Sequence, residues 1–270
     1  MKYQTTLFSL LIASVMCGSL ASAAPKKDQG PFPPDLTQEE VLKRNETLPD
    51  YKALHALVAD KKKNILWVIT GDSITHGCMH THGIRSYPEH WMEFVKWELR
   101  RTDDIVVNSG ISGEITTGTL NKFDWRVGQF KPQVVSINLG MNDVVKMGPA
   151  KLQEYKKNLE TLVEKVRKLK AIPILQITSP TINMTDARAQ NLEQFWKAIY
   201  EVAQEKKVLL VDHGSHWKTF ASEPAVRKSW MNDAIHPNGK GHAEMYKKMA
   251  YDLGFFDPNK PTSKLGDKTL

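Results

Sequence analysis

A Gly-Asp-Ser-Ile-Thr-His-Gly run, Gly71 to Gly77, follows directly on the apolar segment Ile65-Leu66-Trp67-Val68-Ile69-Thr70. The pattern puts Ser73 on a tight turn where a buried strand ends and a helix begins, the edge at which open α/β sheets bind ligands. A serine hydroxyl is a weak nucleophile until a base takes its proton during attack. Far downstream, Asp233-Ala234-Ile235-His236-Pro237 offers a carboxylate and an imidazole on one short loop. An imidazole suits the role of base near neutral pH. A carboxylate on its other ring nitrogen fixes the tautomer and stabilises the imidazolium that forms. Ser73, His236 and Asp233 thus point to acyl transfer by a serine nucleophile. The order Ser, Asp, His is one of several that produce this geometry and proves nothing by itself.

Acyl transfer also needs donors aimed at the developing oxyanion. The Ser73 amide, the Gly113 amide and the Asn142 side-chain amide are the candidates, Gly113 because a missing Cβ lets substrate approach the backbone. One such donor typically contributes about 3 kcal/mol. Gly110 is the alternative glycine of the same segment, and Asn142-Asp143 reads also as a turn and helix cap.

These residues need elements to bring them together. Apolar runs rich in β-branched residues lie at 65–70, 105–108, 134–139, 172–178 and 208–212, each short enough for a strand buried on both faces. Helical patterns fill the intervals at about 88–101, 150–169 and 187–206, with a last one at 239–253 and short helices at 37–40 onward and 50–60. Alternating β and α segments predict a parallel five-stranded sheet covered by helices on both sides. Ser73, Gly113 and Asn142 all follow strand ends, and Asp233 and His236 precede the last helix. In a parallel sheet those ends share one edge, so residues distant in sequence converge.

Four blocks, Gly71-Asp72-Ser73, Gly110-Ile111-Ser112-Gly113-Glu114, Gly140-Met141-Asn142-Asp143 and Asp233-Ala234-Ile235-His236-Pro237, resemble in order and spacing those of the SGNH hydrolases, the GDSL esterases and lipases. The resemblance covers residues 64–253. It implies a flavodoxin-like three-layer αβα fold, Ser73 as nucleophile, Asp233 and His236 completing the triad, Gly113 and Asn142 as oxyanion donors, and no metal or cofactor. Gly113 matches the family position better than Gly110. Secreted members of this size resemble carbohydrate O-acetylesterases, so the expected substrate is a short-chain, first of all acetyl, ester on a glycan or other small molecule. A lysophospholipase or thioesterase is the alternative within the same chemistry. A non-catalytic glycan-binding protein on a hydrolase fold is the alternative outside it, against which the intact triad argues.

Several side chains remain to be assigned. His76, His80 and His82 have a spacing that could gather a metal, or they line the substrate entrance. Arg85 either meets a substrate anion or pairs with a nearby glutamate. Cys78 reads as a semi-buried small hydrophobe near the rim rather than a second nucleophile. Of the seven tryptophans, Trp67 and Trp97 read as core, whereas Trp125 and Trp230 lie in loops and are weighed as sugar-stacking platforms or edge packing.

The remaining expectations concern compartment and partners. Lys2, the apolar stretch Leu7 to Met16 and Ala21-Ser22-Ala23 form the pattern of a cleaved secretory signal peptide. That reading divides the chain into a signal at 1–23, a linker with short helices at 24–60, the hydrolase domain at 61–256 and a loose polar tail at 257–270. No later apolar run is long enough to cross a bilayer, so an exported protein, periplasmic or extracellular, is expected, as a monomer or weak oligomer. With 270 residues, 41% hydrophobic and 25% charged, the composition is that of one ordinary globular domain. The net charge of +7 includes Lys2. Many lysines fall between 151 and 170 at spacings that suit the wet face of a helix. Nothing in the chain resembles a nucleic-acid-binding module. Losing Cys17 with the signal leaves Cys78 without an internal disulfide partner.

Overall fold

In the computed structural model, which describes residues 38–264, the five apolar runs pair into one sheet. Helices α1 (Gln38–Glu46) and α2 (Pro49–Ala59) lead into β1 (Leu66–Gly71), the short α3 (Ser73–His76), α4 (Tyr87–Trp97) and β2 (Ile105–Asn108). Then come α5 (Thr116–Asn121), α6 (Phe123–Arg126), β3 (Val134–Asn138), α7 (Asp143–Lys146), α8 (Leu152–Lys168) and β4 (Ile172–Ile177). The chain continues through α9 (Arg188–Glu205), β5 (Leu209–Asp212), α10 (His213–Phe220), α11 (Pro224–Ser229) and α12 (Gly239–Asp252).

Strand order is β2-β1-β3-β4-β5, with every pair parallel. This is the flavodoxin-like order, in which the chain leaves β1 in one direction and β3 in the other, opening a crevice between their carboxyl ends. Register matters here. Gly71, the last residue of β1, lies opposite Asn138, the last of β3, so the turns carrying Ser73 and Asn142 leave the sheet side by side. Helices α4, α12 and α1 cover one face and α8, α9 and α5 the other.

Helix α8 shows why the layers form. Tyr155, Leu159, Leu162, Val163 and Val166 are buried on one stripe at helical spacing. Its lysines face outward and pair with glutamates, as in Lys156–Glu205 at 2.7 Å, while Lys206 of the α9 end meets Glu164 at 2.8 Å. The basic stretch is therefore a solvated helix face.

Local differences from the sequence expectations have local causes. Strand β2 is not buried on both faces: it is an edge strand, and Ile105 is 57% exposed. Helix α4 stops at Trp97 rather than running to 101, because Arg100 takes a left-handed φ of 53°. Arg101 then turns its guanidinium inward onto Val58 O (2.9 Å) and Asp104 Oδ2 (2.6 Å). Trp97, expected in the core, consequently stands at the frayed end, 61% exposed. Five short helices, α5, α6, α7, α10 and α11, were not legible as periodic patterns. Toward the carboxyl end, a 3-10 turn at Pro261–Lys264 docks on α4, with Thr262 N–H and Oγ1 donating to Glu98 Oε1. The signal-peptide and linker readings, and Thr37 at the expected start of the first short helix, fall outside the described residues.

Candidate active site

Ser73 opens α3, and Asp72 before it caps that helix, Oδ1 accepting the Ile74 amide at 2.9 Å. Gly77 ends the same single turn in the left-handed region, so the chain reverses at once and the serine stands at the tip. Burial raises the Asp72 carboxyl to about 7.

His236 sits on a loop held to its own carboxylate. Asp233 Oδ1 accepts the backbone amides of Ile235 and His236, both at 2.8 Å, and Asp233 Oδ2 lies 2.8 Å from His236 Nδ1. On the far side of the ring, His236 Nε2 is 2.9 Å from Ser73 Oγ. Partial burial works to raise the Asp233 carboxyl, but the His236 and Ile235 amides and the imidazole outweigh it and hold the group at about 2. It is therefore ionised wherever the imidazole needs a partner. The three sequence-predicted residues are brought together with hydrogen-bond geometry throughout.

The oxyanion candidates flank the serine. Gly113 has φ +76°, and a Cβ built there meets only Lys146 Nζ, at 3.7 Å, so the position needs glycine for its backbone and opens toward free space. Gly110 is glycine for another reason: a Cβ would strike the backbone nitrogen of His76 at 2.5 Å. That separates the candidate with open space at its Cβ position from a packing contact. Among the described residues, no acceptor is bonded to the amide of Ser73 or of Gly113. Asn142 precedes α7 but its side chain makes no capping bond. Instead Nδ2 donates to Glu114 O at 3.2 Å, tying the third block to the second. Beneath it, Asp143 Oδ1 accepts the Thr116 amide and hydroxyl at 2.8 and 2.7 Å. The buried Arg126 guanidinium reaches Gly71 O, Ser109 O and the Glu114 carboxylate. The loops after β1, β2 and β3 are thus cross-braced from below.

The histidine cluster divides. His76 Nδ1 lies 3.1 Å from Ser112 Oγ and His82 Nε2 lies 2.6 Å from Asn232 Oδ1, while His80 is buried against the His236 ring. Their ring nitrogens do not converge, and among the described residues no three His, Cys, Asp or Glu side chains gather as a metal site. Arg85 pairs with Glu93. Cys78 is exposed rather than semi-buried, although Gly77 and His80 of the same loop are buried.

Trp230 is 5% exposed and packs edge-on to Trp217 at 5.2 Å and over His216 at 5.8 Å. Its face is covered, so it is packing and not a platform. Trp125, on α6, is 70% exposed. Sequence reasoning missed Asn232. Its Nδ2 donates to Asp233 Oδ2 at 3.2 Å, joining the carboxylate to His82. Only its place beside Asp233 marked it.

Among the described residues no helix is long and apolar enough to cross a membrane. Comparison with known proteins agrees with this architecture. The chain is 28% identical over 161 residues to an acetylxylan esterase of Geobacillus stearothermophilus, covering 56% of this chain and 72% of that protein. It is 35% identical over 101 residues to an uncharacterized protein of Mycoplasma pneumoniae, 36% of this chain but only 11% of that much longer protein. The crystal structure of Axe2, an acetylxylan esterase of Geobacillus stearothermophilus, shares the fold with a TM-score of 0.62 at 23% identity, over 73% of this chain and 97% of that one. Residues 69–244 match the GDSL-like Lipase/Acylhydrolase family, spanning β1 to α12 and enclosing all four blocks, and the chain belongs to that family of carboxylic ester hydrolases.

Proposed function

We propose that the protein is an exported serine esterase that removes short acyl groups, acetyl first, from a carbohydrate. The observation that carries the reading is the relay Ser73 Oγ to His236 Nε2 at 2.9 Å and His236 Nδ1 to Asp233 Oδ2 at 2.8 Å. In this reading His236 takes the proton of Ser73 as its Oγ attacks the ester carbonyl. The carbonyl oxygen becomes an oxyanion, met by the Ser73 and Gly113 amides and the Asn142 side chain. Collapse of that intermediate expels the sugar alkoxide, which takes the proton from His236. Water then enters, gives its proton to His236 and attacks the acyl-Ser73 carbonyl, and a second collapse returns the proton to Ser73 as the acid leaves.

Support for a carbohydrate ester comes from the likeness to acetylxylan esterases, one by sequence and one by fold. Export rests on the signal-peptide pattern at residues 1–23, and amino-terminal sequencing of the secreted protein tests it. For the mechanism, Ser73→Ala is assayed on p-nitrophenyl acetate and on acetylated xylooligosaccharide. Expected is a normally folded protein whose turnover is down by roughly 10³-fold or more. Near-native turnover in the folded variant overturns the serine mechanism, and preference for long acyl chains over acetyl overturns the substrate.

A further inference from the structure

Beyond the end of β4 lies a cleft of about 260 Å³ between α9, α10 and α11, with Pro180 and Thr181 on one side and Trp196 on its floor. Three cations, Arg188, Lys218 and Arg227, and one carboxylate, Glu193, line it. It is smaller than the pockets that enclose a drug-sized ligand, and it suits a single substituent.

Two hydrogen bonds attach this cleft to the candidate active site. Arg188 Nε donates to Met141 O at 2.9 Å, the carbonyl just before Asn142. The Ile182 amide, next to Thr181, donates to Ala234 O at 2.9 Å, just after Asp233. The cleft therefore abuts the oxyanion side and the acid side of the triad at once.

Its charge is only partly compensated. Arg188 is 11% exposed at its side chain and is paired with Asp186, and Lys218 Nζ meets Glu193 Oε1 at 3.0 Å while lying 5.6 Å above the Trp196 ring. Among the described residues no carboxylate pairs with Arg227. Its Nε and Nη2 are held by the carbonyls of Ala221 (3.0 Å) and Ser222 (3.3 Å). That leaves a preoriented guanidinium at the wall, the group that best matches a planar oxyanion. Fixing it beforehand removes part of the ordering entropy of binding.

We propose that this cleft is a subsite for an anionic substituent, a uronic acid carboxylate or a sulfate, on a sugar next to the one that carries the ester. The proposal rests on the carbohydrate-esterase reading above and adds which glycans the enzyme takes: acidic ones.

The test compares three acetylated xylooligosaccharides, neutral, uronate-bearing and sulfated, with p-nitrophenyl acetate as a probe too small to reach the cleft. At low salt the charged substrates are expected to show KM lower by roughly tenfold than the neutral one, with kcat similar. The advantage shrinks as salt is raised. Arg227→Gln/Lys218→Gln is expected to bring the KM values together while leaving p-nitrophenyl acetate turnover unchanged. Whichever charged substrate gains identifies the anion. Equal KM values for all three in the wild type, or a charge preference that survives in the double variant, overturns the subsite and leaves the esterase reading standing. Cleavage of p-nitrophenyl acetate with none of the oligosaccharides cut overturns the carbohydrate reading and the subsite with it. Should the double variant unfold, the salt dependence of the wild-type preference decides alone.

Discussion

The imidazole of His80 lies flat on that of His236, with ring centroids 4.4 Å apart and planes 21° from parallel. His80 is 7% exposed and is backed by His242, whose centroid lies 5.6 Å away. A ring clamped on one face keeps its two nitrogens aimed at their partners, and small misplacements of a catalytic group are expensive. In His80→Ala that face opens. Turnover is expected to fall about 10–100-fold with KM nearly unchanged. His80→Phe restores a flat ring and should recover most of the loss. Equal loss in both variants, or a change confined to KM, argues against positioning by stacking.

The same residue makes a pH prediction. Burial first, and His236 second, push the His80 imidazole down from 6.5 to about 4. Between those values the unfolded chain binds a proton at this site that the folded chain does not. Stability from this site therefore falls as the pH drops through that window, by at most about 1.4 kcal/mol per pH unit. His80→Phe lacks the group. Its urea midpoint, taken relative to wild type, should rise as the pH is lowered from about 7 to about 4.5, whatever the offset at the start. A constant offset contradicts a buried, neutral His80.

Asn142 separates an electrostatic role from a structural one. Its side chain makes no cap on α7, so Asn142→Ala should leave the thermal midpoint almost unchanged, whereas loss of a true cap costs about 1 kcal/mol. Turnover should fall roughly 10²–10³-fold with little effect on KM, because the donor meets charge that exists only in the transition state. A lowered midpoint with normal turnover per folded molecule assigns Asn142 to the turn alone.

Asn232 links His82 to the Asp233 carboxylate. Removing a hydrogen bond to a charged group in Asn232→Ala is expected to lower kcat about tenfold. Asn232→Asp keeps the size but sets a second carboxylate against Asp233, and should lose more. Kinetics on the two variants with p-nitrophenyl acetate check the order, and if the aspartate variant is the more active one, the link plays no part in holding Asp233.

Much of the molecule was legible because periodicity and burial are local signals. Strands predicted at 105–108 and 134–139 are found at Ile105–Asn108 and Val134–Asn138, and the helix predicted at 187–206 at Arg188–Glu205. Such runs are apolar where the sheet is covered, whatever else the chain does. The short helices α10 and α11 escaped notice because their turns carry too few residues for a period to emerge. Trp97 was misplaced, and Trp230 was left open between platform and packing, for a related reason: residue type sets how much area there is to bury, while helix endings and loop packing set whether it is buried. Arg100, in its left-handed conformation, ended α4 early and left Trp97 outside. The α11 loop folded Trp230 back on Trp217.

By itself the sequence determined which residue types end which strands, and hence that Ser73, Gly113 and Asn142 share one sheet edge with the Asp233–His236 loop. That follows from the parallel sheet, whose carboxyl ends all face the same way. Only the tertiary structure decided what lies between those residues. Ser73 and His236, 163 positions apart, meet at 2.9 Å because the sheet register and the buried bracing by Arg126 and Asp143 hold the loops at one height. His80 rather than His76 or His82 faces the His236 ring, and Arg85 meets Glu93 while Arg227 is held, among the described residues, by backbone carbonyls alone. Side-chain directions in loops obey no sequence period. They are set by what packs underneath, and that is a property of the folded chain alone.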